Sequence, residues 1–196
     1  AFYRLAETLK INYPRLPICI VGDGLYPNQK VFEICLLNNW EWIFTFKDGN
    51  LPSAWDQVLQ EQLMDNSNKN KLNDLEEIKK EDGHKTVVVS YHYHCYAWVN
   101  SIKYSRHEFS WANLIVHDDN GEIIHDFVFI TSFKLSKDNI VEIVKNGRMR
   151  FKIENEGFNT QKNLGYSLKH KFSETSELAM RNYYTCLQIG HLINQL

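Results

Sequence analysis

The stretch ICIVGDGLYPNQKVFEICLLNNWEWIFTF, residues 18–46, decides the fold class. ICIVGD is a short, continuous apolar run closed by Gly22-Asp23, the pattern of a buried strand with a carboxylate at its carboxyl end. PNQKVFEICLLNN follows, with Pro27 at a helix start and Val31, Ile34, Cys35 and Asn38 on one face. WEWIFTF then alternates as a second strand. Strand, helix and strand within thirty residues predict a βαβ unit with two parallel strands, hence an α/β fold.

Outward from this unit the pattern changes twice. Residues 1–12 carry Phe2, Leu5, Ala6 and Leu9 at helical spacing, and YPRLP ends that helix. After the unit, LPSAWDQVLQEQLMDN reads as a short helix. Residues 65–83, DNSNKNKLNDLEEIKKEDG, are polar enough to predict an exposed loop or frayed helix. From His84 to Phe133 the chain is β-rich, and Asp118-Asp119-Asn120-Gly121 is placed as the turn of a hairpin. Helical pattern resumes near Lys137 with Ser136 as a cap, and SELAMRNYYTCLQIGHLINQL closes the chain as a long helix.

The bulk numbers permit a folded core. The 196 residues are 43% hydrophobic, with five Trp, ten Tyr and eleven Phe. Net charge is -2, which does not announce a nucleic-acid binder; its distribution does more. Between Lys145 and Lys171 seven basic residues stand against Glu154 and Glu156, a local balance of +5. Cys19, Cys35, Cys95 and Cys186 show no paired spacing, which predicts reduced core thiols and a cytosolic setting. No apolar run reaches transmembrane length, so no membrane partner is expected. Motifs for phosphate-binding loops, nucleophile elbows and dinucleotide folds are absent.

Three groups of residues carry chemistry. Asp23 would point into the crevice at the carboxyl edge of a parallel pair, or simply cap a turn. Glu154, four residues after Arg150, would be a helical metal acid or half of an i,i+4 ion pair; Glu156 points elsewhere. Phe151 and Phe158 read as core anchors. His92 and His94 alternate along one strand and share a face, a zinc-like pair, with Cys95 opposite and His107, His117 and His125 nearby in sequence. Trp98 and Trp111 read as core of the β-rich region.

LPICIVGDGLY, NNWEWIFTFKDG, GRMRFKIENEGFNTQKN and YSLKHKF together resemble the DDE transposases of bacterial insertion sequences, in the branch with a β-insertion inside an RNase H-like core. The branch signature is Tyr, two residues, Arg, three residues, Glu, six residues, Lys. Arg150 and Glu154 match it; Gly147 stands in the Tyr slot, Gln161 in the Lys slot, and Lys162 one position later. The resemblance implies an RNase H-like core in residues 1–47, a β-rich insertion in 48–133 and C-terminal helices of the core in 134–196. It makes Asp23 the second and Glu154 the third of three metal carboxylates. The first would precede the opening helix, so the expected chain is an N-terminally truncated catalytic fragment, inactive alone. Mg²⁺, with Mn²⁺ as substitute, is the implied cofactor, two ions about 3.5–4 Å apart driving in-line attack on a phosphodiester. Transposon-end and target DNA are the implied partners, gripped by Arg148, Arg150, Lys162, Lys169 and His170, with a homodimer and a bacterial cytoplasmic setting as further expectations. Two other readings stand beside this one: an inactive remnant that binds DNA or a partner, and a zinc-binding β-module on His92 and His94.

Overall fold

A computed structural model describes residues 2–47, 49–64, 70–82, 85–170 and 172–195. The chain divides into two compact units, Ala1–Gly147 and Arg148–Leu196.

The first unit is built on one mixed sheet. Its elements run α1 (Phe2–Asn12), β1 (Cys19–Gly22), α2 (Gln29–Asn38), β2 (Glu41–Thr45), α3 (Pro52–Met64), β3 (Lys71–Asp82), β4 (Lys85–Tyr104), β5 (His107–His117) and β6 (Ile123–Thr131). Helix α4 (Ile140–Lys152) follows and contains the boundary between the units. The strand order is β1-β2-β6-β5-β4-β3. Strands β1 and β2 are parallel; every other pairing is antiparallel. The α/β class and the parallel βαβ unit expected from residues 18–46 are therefore present. The β-rich stretch continues the same sheet, because β6 pairs directly with β2 through Phe44↔Ile130.

Local chemistry explains the βαβ unit. The Asn28 side chain accepts a hydrogen bond from the Val31 amide at 3.1 Å and caps α2, with Pro27 just before it. Asn39 ends the helix in the left-handed region at φ 53°, a conformation asparagine tolerates better than most residues. The Trp40 amide then bonds back to the Cys35 carbonyl at 2.9 Å and turns the chain into β2.

Strand β2 is buried on both faces, and its alternation feeds two cores. Trp42 and Phe44 pack with Phe32, Cys35, Val58, Phe109 and Trp111 beneath the helices α1 to α3. Ile43 faces the other way, toward Trp98, Leu114, Phe129 and the Ile140 and Val144 side chains of α4. The Trp42 and Phe44 rings stack 4.9 Å apart. Trp98 and Trp111 are core residues, as expected.

Three expectations need correction. The polar stretch expected as a loop or frayed helix forms strand β3 over Lys71–Asp82; residues 65–69 and 83 of that stretch lie outside the described ones. It is an edge strand of the sheet, as β1 is at the other end, and most of its described side chains meet water, which matches its low apolar content. Phe151 and Phe158 are not core anchors: they are 58% and 45% exposed. The thiols are free, but only Cys35 is fully buried; Cys19 and Cys186 are exposed.

The second unit is helical. After the last turn of α4 come a π-helical segment (Ile153–Asn159), α5 (Thr160–Asn163) and α6 (Glu177–Ile193). Ser176 caps α6 by accepting from the Ala179 amide at 3.2 Å. Gln161 of α5 is buried and exchanges two 3.0 Å hydrogen bonds with Gln188 of α6.

Candidate functional site

Asp23 stands one residue past the end of β1, as the sequence places it. One carboxylate oxygen accepts the Leu25 amide at 2.9 Å, and the Tyr26 amide bonds the Asp23 carbonyl at 3.1 Å. The side chain thus heads an Asx turn at the carboxyl end of the parallel pair. Lys47, two residues past the end of β2, lays its aliphatic stem over Gly24. The Asn50 side-chain amide donates to the Gly24 carbonyl. Lys47 and Asn50 were not singled out from sequence. Only the parallel register, which sets Gly22 beside Phe44, brings them to the Asp23 turn.

Glu154 lies in the π-helical segment of the second unit, with its Oε1 2.7 Å from Arg150 Nη1. Lys152 and Glu156 make a looser pair at 3.7 Å. These are the i,i+4 contacts the spacing allows. A π-helical turn is rare and recurs at functional positions.

The basic residues of this unit are on its surface. Arg148, Lys162, Lys169 and His170 are exposed, and Arg150 is half-buried. Lys162 sits 5.9 Å from the Phe158 ring centroid. Lys169 donates to the Asn163 side chain at 3.0 Å. Lys169 and His170 line an open groove of about 400 Å³ together with Phe172, Arg181, Tyr183 and Tyr184. Arg181 and Tyr184, both on α6, escaped sequence reading, although Arg-Asn-Tyr-Tyr at 181–184 combines a cation with stacking rings.

The histidines separate into distinct surroundings. His92 and His94 share a face of β4, and Glu76 of β3 joins them: one ligand atom from each lies within 4.8 Å of the others. His94 Nε2 is 3.2 Å from Glu76 Oε2. Glu76 was missed because its strand was expected to be a loop; the register Glu76↔His92 is what delivers it. Cys95, on the opposite face as expected, lies 3.8 Å from His117 Nδ1. His125 packs on Phe127, and His107 is buried, its Nε2 without a hydrogen-bond partner. Burial holds the His107 imidazole below its ordinary pKa, with Arg106 adding to the effect.

No helix is long and apolar enough to cross a membrane among the described residues. No protein-family model matches this chain, and no curated protein is significantly similar to it.

Proposed function

We propose that this chain carries the catalytic region of a DDE-type transposase with an RNase H-like core, acting on DNA phosphodiesters. The observation that carries the reading is the position of Asp23. It is a carboxylate at the carboxyl end of a parallel strand, where α/β sheets place ligand chemistry and where the resemblance requires its second acid. Glu154, in a π-helical turn next to Arg150, supports it as the third.

Each acid taken by itself has donor chemistry of the kind the implied ion takes. Both residues offer carboxylate oxygens, the hard donors that Mg²⁺ and Mn²⁺ prefer, and each commits one oxygen to a local partner. A bound ion would supply Lewis-acid activation of a water or 3′-hydroxyl. The protein's own part is to position phosphates: Arg148, Lys162, Lys169 and His170 give an exposed basic surface, half-buried Arg150 adds its guanidinium, and Tyr184 gives a ring for base stacking. The DNA would be element ends and target.

A second reading has its own observation. Asp23 caps a turn and Glu154 pairs with Arg150, so both acids have complete local roles without a metal. On that reading the chain binds DNA or a partner and does no chemistry.

Mn²⁺ titration by electron paramagnetic resonance separates the two. The transposase reading expects Mn²⁺ binding that weakens in Asp23→Asn and again in Glu154→Gln. Unchanged affinity in both variants would leave the non-catalytic module. With two of the three acids matched, strand nicking with Mg²⁺ is not expected of this chain alone; robust nicking that disappears in Asp23→Ala would overturn that expectation.

A further inference from the structure

We propose that Glu76, His92 and His94 form a transition-metal site, with Zn²⁺ the first candidate, separate from any Mg²⁺-dependent chemistry. The donor set is two imidazoles and one carboxylate, which suits zinc rather than a hard alkaline-earth ion. The geometry suits it too. Two donors on a tetrahedral ion with bonds near 2.0 Å lie about 3.3 Å apart. His94 Nε2 and Glu76 Oε2 are 3.2 Å apart, and all three donor atoms fall within 4.8 Å of one another.

The sheet explains how the site is made. On one face of the β3–β4 ladder the register stacks Leu72 with Tyr96, Asp74 with His94, and Glu76 with His92. Leu72 and Tyr96 belong to the core under α4. Burial falls along this row from Tyr96 to His94 to half-exposed His92, so the site sits where the core meets solvent. His94 is held from behind: its Nδ1 is 3.4 Å from the Tyr96 hydroxyl. A proton on Nδ1, donated to that oxygen, leaves the Nε2 lone pair on the side of Glu76, the outer-shell arrangement that metal-binding histidines use. Three protein ligands with an exposed carboxylate leave a fourth position for water, the pattern of open zinc sites.

Glu76 and His92 are the useful variants, because neither is buried and both should leave the fold intact. The whole 196-residue chain, stripped with chelator, is titrated with Co²⁺ in excess Mg²⁺, which occupies hard-oxygen sites. One Co²⁺ per chain with tetrahedral visible bands, displaced by Zn²⁺, is expected. Losing an outer-shell partner of a metal costs roughly 10–100-fold in affinity. Glu76→Gln and His92→Ala, each losing a direct ligand, should lose at least that much with unchanged circular dichroism. Tyr96→Phe should lose less. Absence of stoichiometric Co²⁺ uptake would reduce the trio to a His–Glu ion pair and overturn the proposal. Uptake that persists in both variants would overturn it as well, by placing the ion elsewhere.

Discussion

Gly147 of α4 lies directly against the ring of Phe129 on β6: a Cβ at Gly147 would fall 2.8 Å from that ring and 3.1 Å from Ile43 Cγ2. The transposase signature carries a tyrosine at this position, and here no side chain has room. Gly147→Ala must therefore push α4 off the sheet. The strain of overpacking, about 1–3 kcal/mol, is offset in part by the ~0.8–1 kcal/mol helix preference of alanine over glycine. A net loss of up to about 2 kcal/mol in urea unfolding is expected; a raised midpoint, leaving only the helix preference of alanine, would show that the packing yields at no cost.

The Lys slot of the same signature holds Gln161, buried and doubly bonded to Gln188. A lysine there would carry an unpaired charge into a desolvated position. On the proposed transposase reading, the exposed neighbour Lys162 takes the part of that cation. Charge-removing variants of Lys162 and Lys169 should weaken DNA binding about equally for all sequences. Each should lower the magnitude of the salt slope of log K by about 1. Equal slopes in wild type and variants, measured by fluorescence anisotropy, would remove these residues from the interface.

Strand β1 is a sheet edge: it pairs with β2, and its other side meets no described strand. Open edges of this kind template association. Cys19→Lys sets a positive charge opposite Glu41, its exposed register partner. Light scattering should show concentration-dependent association of the wild type and a shift of the variant toward monomer. A wild type that stays monomeric throughout would count against edge pairing.

Asp118 closes the β5–β6 hairpin by accepting the Glu122 and Asn120 amides, each at 2.9 Å. These bonds, that of Glu122 first, hold its carboxyl below the ordinary value of 3.8. A depressed folded pKa contributes stability above the unfolded value and loses it as pH falls through the folded one. The hairpin contribution should thus be constant from neutral pH down to about pH 4 and vanish below. Carbon-detected NMR titration checks this: a midpoint for Asp118 at or above 3.8 would contradict the geometry.

Cys35 is wholly buried, and burial pushes its thiol up to about 12. Only the thiolate alkylates, so Cys35 should resist iodoacetamide at pH 8 in the folded chain and react once it is unfolded. Exposed Cys186 should label first. Mass spectrometry of peptides after brief labelling decides it; early modification of Cys35 would mean that the α2–β2 core opens readily.

Local signals made much of the frame legible. The apolar run before Asp23, the Pro27 start and the Trp-rich second strand fix the βαβ unit within thirty residues, because helix-start signals and periodicity act over a few positions. The Asp118–Gly121 turn was legible for the same reason: Gly121 takes the positive φ of 81° that the turn needs. What the tertiary structure alone decided depends on partners far along the chain. Lys71–Asp82 is polar by composition and becomes a strand because β4 offers a ladder; its place at the edge removes any need for apolar residues on both faces. That register carries Glu76 to His92 and His94. Phe151 and Phe158 show the converse: their seven-residue spacing matches a core face, yet Phe151 lies in the last turn of α4, Phe158 lies in the π-helical segment that follows, and both stay in solvent. Periodicity tells which residues can share a face, and only packing tells what, if anything, covers it.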